Sequence, residues 1–156
     1  MTDHETWMRL AIAQAHAARA IEEVPIGCIV VHNSTGRIIG CGHNRRQTDR
    51  DPTGHAEIFA IKQAAQELKD WRLNDCTLIV TLEPCPMCAG AIVNARISRL
   101  IYGCDDPKAG AVKSLYRLCE DTRLNHRLDI VSGVLAEDCA ALLKDFFAVQ
   151  RAMGKK

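Results

Sequence analysis

Two short motifs constrain the fold of this chain more than any other feature. His55 is followed two residues later by Glu57, and thirty residues after the histidine Cys85 begins a Cys-x-x-Cys pair with Cys88. One imidazole and two thiols are ligands that a catalytic zinc site uses while it leaves its fourth position to water. The fold must therefore bring two distant segments together at one point.

The cysteine pair is predicted to lie at the beginning of a helix. Pro86 suits the first helical position because its missing N–H costs nothing there, which places Cys85 at the N-cap and Cys88 one turn further on. Both thiols then lie on one helical face and near the positive end of the helix dipole. This position lowers thiol pKa values and favours the thiolates that zinc binds.

His55 and Glu57 open a second segment with helical periodicity. In the first turn of a helix both side chains can border one cavity. We assign metal binding to His55 and proton transfer to Glu57, since a carboxylate beside a metal can take a proton from water.

Two other interpretations of the cysteine pair stay open at this point. A Cys-x-x-Cys pair can be redox-active, or it can belong to a structural zinc site with four protein ligands. In the second case Cys76, Cys104 or His43 would supply the fourth ligand. Glu57 favours the catalytic interpretation, because a structural site has no use for this carboxylate.

Length and composition set only loose bounds on the fold and on the partners. The 156 residues predict a single domain over residues 1–156, with 153–156 as a frayed tail. A net charge of +1 neither indicates a nucleic-acid partner nor excludes a local basic patch. With no signal peptide and no long apolar run, the eight cysteines predict a cytoplasmic protein with reduced thiols and no membrane span.

The hydrophobic pattern alternates between helix and strand. Helices are predicted over residues 5–23, 55–71, 114–119 and 136–151 and from residue 86 onward, and strands over 26–32, 37–42, 76–82, 99–103 and 128–132. The run Leu78, Ile79 and Val80 is typical of a central strand that is covered on both faces. Its carboxyl end leads directly into the cysteine helix, where open α/β sheets place their ligands.

The pair of motifs resembles the signature of the cytidine-deaminase-like zinc deaminases. Within that superfamily the chain is most similar to the bacterial tRNA-specific adenosine deaminases, which convert the wobble adenosine of an arginine tRNA to inosine. The resemblance covers nearly the whole chain, and beyond the zinc motif it is carried by residues 24–27, 51–53, 71–73, 81–85, 87–91, 125–127 and 145–147.

The resemblance implies a fold, a cofactor and a mechanism. The fold would be α/β, with three α/β/α layers around a five-stranded mixed sheet, and the protein would form a homodimer. His55, Cys85 and Cys88 would hold one zinc ion per subunit, which activates a water. Glu57 would take a proton from that water and pass it to the purine ring nitrogen. The partner would be the anticodon arm of a tRNA.

The resemblance also implies four residues that bind the target nucleotide and its neighbours. They are Asn44 after the second strand, Asp106 after the fourth, Asn125 before His126, and Phe147 in the last helix. Each has a structural alternative. The two asparagines are common turn residues, and Asp106 before Pro107 is typical of a turn. The last helix must bury an apolar stripe anyway, which the periodicity predicts to contain Cys139, Leu142, Phe146 and Val149.

The zinc motif predicts the chemistry better than the substrate. Deaminases of guanine and of other free bases or nucleotides share it, so a free-base or nucleotide deaminase with the same zinc mechanism is the alternative function. Phe146 and Phe147 in a last helix that reaches Arg151 favour the tRNA enzymes. Glu83, just before the cysteine helix, is predicted to complement the dipole of that helix.

Overall fold

The computed structural model of the protein describes residues 3–155. Within this range the helices are α1 (Asp3–Ala20), α2 (Ala56–Leu68), α3 (Pro86–Asn94) and α4 (Ala136–Ala152), with a 3-10 turn at Leu118–Glu120. The strands are β1 (Gly27–His32), β2 (Ile38–His43), β3 (Cys76–Leu82), β4 (Arg99–Cys104) and β5 (Asp129–Val131). Of the predicted tail, Lys156 lies outside the described residues, and the N–H of Lys155 donates to the carbonyl of Gln150.

The strands form one mixed sheet in the order β2-β1-β3-β4-β5. Strand β1 is antiparallel to both of its neighbours, β2 and β3, whereas β3, β4 and β5 run parallel to one another. Parallel neighbours need a crossover, and α3 supplies it between β3 and β4. The prediction of a five-stranded mixed sheet is confirmed.

Helices cover both faces of the sheet. Alternate residues of β3 point to opposite sides, so that Leu78 packs in the cluster formed with α2 and α3, and Ile79 packs in the cluster formed with α1 and α4. The consecutive apolar run in β3 is therefore explained by burial on two faces. The described residues thus form the predicted three α/β/α layers.

Helix α2 lies unusually close to the edge of the sheet. A Cβ atom at Gly40 or Gly42 would overlap backbone atoms of α2, which presents the small side chains Ala56, Ala60 and Ala64 to the sheet. Because helix and strand are in such close contact, the first turn of α2 is held beside the carboxyl end of β2. This places His55 at the same edge of the sheet as the cysteine helix.

Several segments that are distant in sequence meet at this one edge. Residue pairing sets Leu82 beside Cys104 and Gly27 beside His43, so the carboxyl ends of β2, β3 and β4 lie near one another. The segments that follow these strands must therefore lie close together. They carry the predicted site residues Asn44, Cys85 and Asp106.

Two details of the predicted secondary structure and one of the predicted burial are wrong. The helix predicted over 114–119 is absent from the described chain, where only Leu118–Glu120 forms a 3-10 turn, because the N–H of Leu118 donates to the carbonyl of Ala111 and not to that of Ser114, as it would in a helix. Helix α2 ends at Leu68 rather than near residue 71, because Lys69 adopts a left-handed conformation with φ 54°. Val149 was expected on the buried stripe of α4, but 46% of it is exposed.

The cysteines and the helices agree with two further expectations. Across residues 3–155 all eight cysteines are free. Of the four cysteines that lie in apolar segments and were predicted to be small core residues, Cys28, Cys119 and Cys139 are buried, whereas Cys41 is only partly buried. In the same range no helix combines the length and the hydropathy needed to cross a membrane.

Candidate active site

The two motifs occupy the beginnings of two helices. Cys85 is the N-cap of α3 in an extended conformation, and Pro86 is the first helical residue, as predicted. His55 is the N-cap of α2. Both helices therefore direct their positive ends and their unpaired N–H groups toward the same region.

The proposed ligand atoms are brought together at distances that suit one metal ion. Nδ1 of His55 lies 3.6 Å from Sγ of Cys85 and 3.5 Å from Sγ of Cys88. Tetrahedral zinc, with its usual bonds to nitrogen and sulfur, separates such ligands by about 3.6 Å. The side chains therefore need little rearrangement to bind a tetrahedral ion.

A structural site with four protein ligands is not formed in the part of the chain that the structure describes. The donor atoms of His55, Cys85 and Cys88 all lie within 4.8 Å of one another, and Cys76, Cys104 and His43 do not belong to this group. Three protein donors leave one tetrahedral position open, which is the arrangement of a catalytic site.

The two thiols of the cysteine pair differ in acidity. The pKa of Cys85 is lowered to about 4, first because Cys88 donates a hydrogen bond to its thiolate and then because His55 does, and these bonds outweigh burial. The same bond to Cys85, together with burial, raises the pKa of Cys88 far above its usual value. A second thiolate here requires a cation, so the donor set fits a divalent metal ion.

Glu57 is a buried carboxyl beside these ligands. It is 4% exposed, and burial raises its pKa to about 7. A group with this pKa can both take up and return a proton near neutral pH. The arrangement can therefore support proton transfer next to a metal-activated nucleophile.

A cleft of about 940 Å³ opens beside the metal-site group, by which we mean His55, Glu57, Cys85 and Cys88. The first three of these line it. Asn44, Asp106 and Phe147, which we call the rim group, line it as well. The structure thus brings three of the four predicted substrate residues to the proposed metal site, from three separate segments.

Asn44 and Asp106 are partly engaged in their own loops. The Asn44 side chain donates to the carbonyl of Val24 at 3.4 Å and accepts from the N–H of Arg46 at 3.2 Å. One carboxylate oxygen of Asp106, Oδ1, accepts from the N–H groups of Lys108 and Ala109 at 3.0 and 3.2 Å. Both residues therefore stabilise turns, as their structural alternatives predict, and they also face the cleft.

Phe147 and Asn125 lie in different settings. Phe147 is 41% exposed on α4 and lines the cleft, whereas its neighbour Phe146 is buried at 7% exposure. Plain core packing therefore describes Phe146 and not Phe147. Asn125 is exposed on the segment between the 3-10 turn and β5, and it is not among the residues that line the cleft.

Sequence reasoning missed two kinds of cleft residue. Lys144 of α4 lines the cleft together with Arg46 and Lys108, and Asp105 and Asp106 line it as well, so basic groups stand beside acidic ones at the opening. The position of Lys144, three residues before Phe147 on the same helix, could have indicated it. Glu83 also lines the cleft, and its buried carboxylate bonds the loop after β4 instead of simply complementing the dipole of α3.

Comparisons with known proteins agree with this geometry. A tRNA-specific adenosine deaminase of Bacillus subtilis is 44% identical over 155 residues, which are 99% of this chain and 95% of that protein. A solved structure of a tRNA:A34 deaminase, concerned with A-to-I editing at the wobble position of transfer RNA, is 43% identical with a TM-score of 0.84 over 88% of this chain and 99% of that one.

Similarity in fold also extends to enzymes with other substrates. A guanine deaminase from Nitrosomonas europaea superposes with a TM-score of 0.83 over 95% of this chain and 86% of its own, at only 22% identity. The MafB19-like deaminase family model matches residues 2–151. The chain therefore belongs to the MafB19-like deaminase family, and the full-length relative named above is a tRNA-specific adenosine deaminase.

Proposed function

We propose that this chain hydrolyses adenosine to inosine at the wobble position of a tRNA anticodon arm. One observation carries the proposal: an imidazole and two thiols converge beside a buried carboxyl and next to a large cleft. Full-length similarity to tRNA-specific adenosine deaminases supports adenosine in RNA as the substrate.

The cofactor of this reaction would be one zinc ion per chain, held by His55, Cys85 and Cys88. The spacing of their donor atoms supports this choice, and so does their mixture of nitrogen and sulfur, which suits zinc better than magnesium or calcium. When bound, the ion acts as a Lewis acid that lowers the pKa of water and so supplies hydroxide near neutral pH.

Glu57 would move the protons of the reaction. Its carboxylate takes a proton from the attacking water and delivers it to N1 of the adenine ring while a C–O bond forms at C6. The carboxylate then transfers the proton of the new C6 hydroxyl to the amino group, which leaves as ammonia when the C–N bond breaks and the C6 carbonyl forms. Adenosine and water thus give inosine and ammonia. The high pKa that burial gives to Glu57 supports both proton transfers.

The cleft residues would hold an extruded nucleotide and the strand on either side of it. Phe147 offers an exposed ring for stacking, and Asn44 and Asp106 offer amide and carboxylate groups for hydrogen bonds to the nucleotide. Arg46, Lys108 and Lys144 are suited to phosphates near the opening. Asn125, which lies apart from the cleft, would contact RNA beyond the target nucleotide.

We also propose that the protein works as a homodimer in the cytoplasm, where its tRNA substrate is found. Trp71, Leu115 and Tyr116 are each more than half exposed, at 54%, 54% and 57%, and a second copy would cover such side chains. Sedimentation at several concentrations tests the dimer, because a single species at the mass of one chain would contradict it.

The proposed function is tested by product analysis. Zinc-loaded protein is incubated with an anticodon stem-loop that carries adenosine at the wobble position, and separately with free guanine, adenine and cytosine. Mass spectrometry then detects conversion of an amino group to a carbonyl. We expect inosine in the stem-loop and no reaction of the free bases. A stem-loop with adenosine only at the neighbouring loop positions is the matched control.

Other products would overturn the proposal in distinct ways. Xanthine, hypoxanthine or uracil with unchanged RNA would keep the zinc mechanism but assign the chain to the free-base deaminases. If neither RNA nor free bases react while one zinc is bound per chain, the site would be structural instead.

A further inference from the structure

Glu83 connects the metal-binding segment to the loop that follows β4. It lies two residues before Cys85, and only 2% of it is exposed. Its carboxylate accepts hydrogen bonds from four backbone N–H groups, those of Asp106, Val112, Lys113 and Ser114, at 3.0, 3.1, 2.8 and 2.9 Å. The hydroxyl of Ser114 donates a fifth at 2.5 Å. One side chain thus organises both ends of residues 106–114.

The two carboxylate oxygens of Glu83 hold different parts of this loop. Oε1 accepts from the N–H of Asp106 and from the hydroxyl of Ser114, whereas Oε2 accepts from three consecutive N–H groups at Val112, Lys113 and Ser114. Gly110 packs directly against the carboxylate, and a Cβ atom there would overlap it. The loop is therefore wrapped closely around a single buried anion.

The same loop forms one wall of the cleft. Residues 105–109 line the cleft, and Asp106 belongs to the rim group. Oδ1 of Asp106 is engaged by the N–H groups of Lys108 and Ala109, so the orientation of its other oxygen depends on where the loop backbone lies. The position of the backbone at Asp106 depends in turn on the bond to Glu83.

We propose that Glu83 is a positioning residue, which fixes Asp106 relative to the proposed metal ligands and thereby sets how tightly the substrate nucleotide is bound. The inference rests on the proposed function, in which Asp106 contacts the substrate. Glu83 itself carries no step of the reaction. Its carboxylate links the segment that ends at Cys85 to the loop of residues 106–114. Asp106 therefore keeps a fixed position relative to the proposed metal ligands.

Glu83→Gln is the sharpest test of this role. The amide keeps one acceptor oxygen for the three consecutive N–H groups, but its NH₂ group then faces the N–H of Asp106. Two donors cannot bond to each other, whereas the hydroxyl of Ser114 can turn and accept. The substitution therefore releases Asp106 selectively and leaves the rest of the loop bonded.

Amide hydrogen exchange tests the structural half of the inference without any substrate. We expect exchange at the N–H of Asp106 to quicken about tenfold or more in Glu83→Gln, with amides in the interior of β3 unchanged. Ser114→Ala is the matched control, because it removes one hydrogen bond to the same carboxylate and keeps the bond from Asp106. Exchange at Asp106 that stays within about twofold of wild type would overturn the inference.

A double-mutant cycle with stem-loop RNA tests the functional half. We expect Glu83→Gln and Asp106→Asn each to lower kcat/KM about tenfold, chiefly through KM, and the double variant to lie within about twofold of Asp106→Asn alone. Zinc content should stay at one per chain in all three variants. Fully additive losses would show that Glu83 does not act through Asp106, and would overturn the inference.

Two further results separate the possible failures. If Glu83→Gln does not fold, Gly110→Ala displaces the same carboxylate with an added methyl group and should produce the same quickened exchange at Asp106. If wild-type protein leaves stem-loop RNA unchanged, the proposed function fails, and the exchange experiment still decides whether Glu83 positions the loop.

Discussion

The metal-site group and the rim group meet at one cleft but are built in different ways. The proposed ligands lie at the beginnings of α2 and α3, and both helices contribute buried side chains to the core on one face of the sheet. The rim residues Asn44, Asp106 and Phe147 come from two loops and from the exposed side of α4. The reacting centre is therefore held by the core, whereas recognition depends on segments that a few side chains hold in place.

Two buried glutamates show how the rim is held. Glu83 fastens the loop after β4, and Glu23 fastens the loop after β2 by accepting from the N–H and the hydroxyl of Thr48, both at 2.6 Å. The loop after β2 is also stabilised internally, because Arg45 forms an ion pair with Asp49 at 2.9 Å. Substitutions in the metal-site group should therefore abolish the reaction, and those in the rim should change binding by smaller factors.

The largest effect is expected from Cys88→Ala. This change removes one of three proposed ligands from a buried position, so zinc, activity and part of the stability should be lost together, since metal binding is coupled to folding. Metal content, inosine formation and Tm are measured on the same preparation. Cys119→Ala, at another buried cysteine, is the control for loss of a core thiol. Stoichiometric zinc with unchanged Tm would exclude Cys88 as a ligand.

Phe147→Ala should weaken RNA binding without touching the metal. Stacking of a base on an aromatic ring is worth about 1–3 kcal/mol, so KM for the stem-loop should rise about tenfold. Phe146→Ala provides the contrast, because this neighbouring ring is buried and its loss should lower Tm instead. If both substitutions changed KM and Tm equally, the assignment of Phe147 to the rim and of Phe146 to the core would be wrong.

Asn125→Ala should have a smaller effect on RNA binding. The residue is exposed and does not line the cleft, so a single contact to RNA outside the cleft would change KM about fivefold and leave kcat unchanged. Titration of stem-loops of two lengths measures this effect. If the substitution lowers kcat as strongly as a change at Asp106, Asn125 lies closer to the reacting nucleotide than the fold of one chain places it.

Glu23→Gln should affect stability in a pH-dependent way. Burial alone would raise the pKa of Glu23, but hydrogen bonds from Thr48 and Gln47 outweigh it and hold the pKa below the ordinary value of 4.5. The stability that this carboxylate contributes is therefore fully present above pH 4.5 and is lost as the pH falls through its folded-state pKa.

Urea unfolding between pH 3 and pH 7 measures this contribution. The difference in unfolding free energy between wild type and Glu23→Gln should be constant at neutral pH and should shrink on acidification. Glu22→Gln, at an exposed neighbour, serves as control. A difference that grows as the pH falls would contradict the assigned direction of the pKa shift.

Most of the metal-site geometry could be predicted from local sequence. Pro86 indicated a helix start, and so Cys85 was expected at the N-cap, where the structure has it. The strand that leads into this helix was equally clear, since its apolar run has the same bounds, Cys76–Leu82, in the structure. Such features depend on neighbours within a few residues and are therefore visible in the chain itself.

The rim could not be predicted in the same way. The hydrogen bonds between Glu83 and the loop join residues that are 23 to 31 positions apart in the chain. Contacts at such distances leave no periodic pattern in the sequence from which they could be predicted. For the same reason the segment 114–119 was expected to be helical, although the N–H of Leu118 bonds the carbonyl of Ala111, outside the segment. On α4 the hydrophobic periodicity correctly predicted that Cys139 and Phe146 lie on the buried face. The periodicity does not show how far along the helix the core extends, and Val149, near the end of α4, is exposed.

The central claim is that the metal-site group carries out the reaction on RNA, with Glu57 as the proton carrier. The most direct test is single-turnover inosine formation at saturating stem-loop RNA by Glu57→Ala, with zinc measured in the same sample. We predict one zinc per chain, unchanged RNA binding and a rate at least about a hundredfold lower than wild type. A zinc-loaded variant that retains more than about a tenth of the wild-type rate would contradict the account.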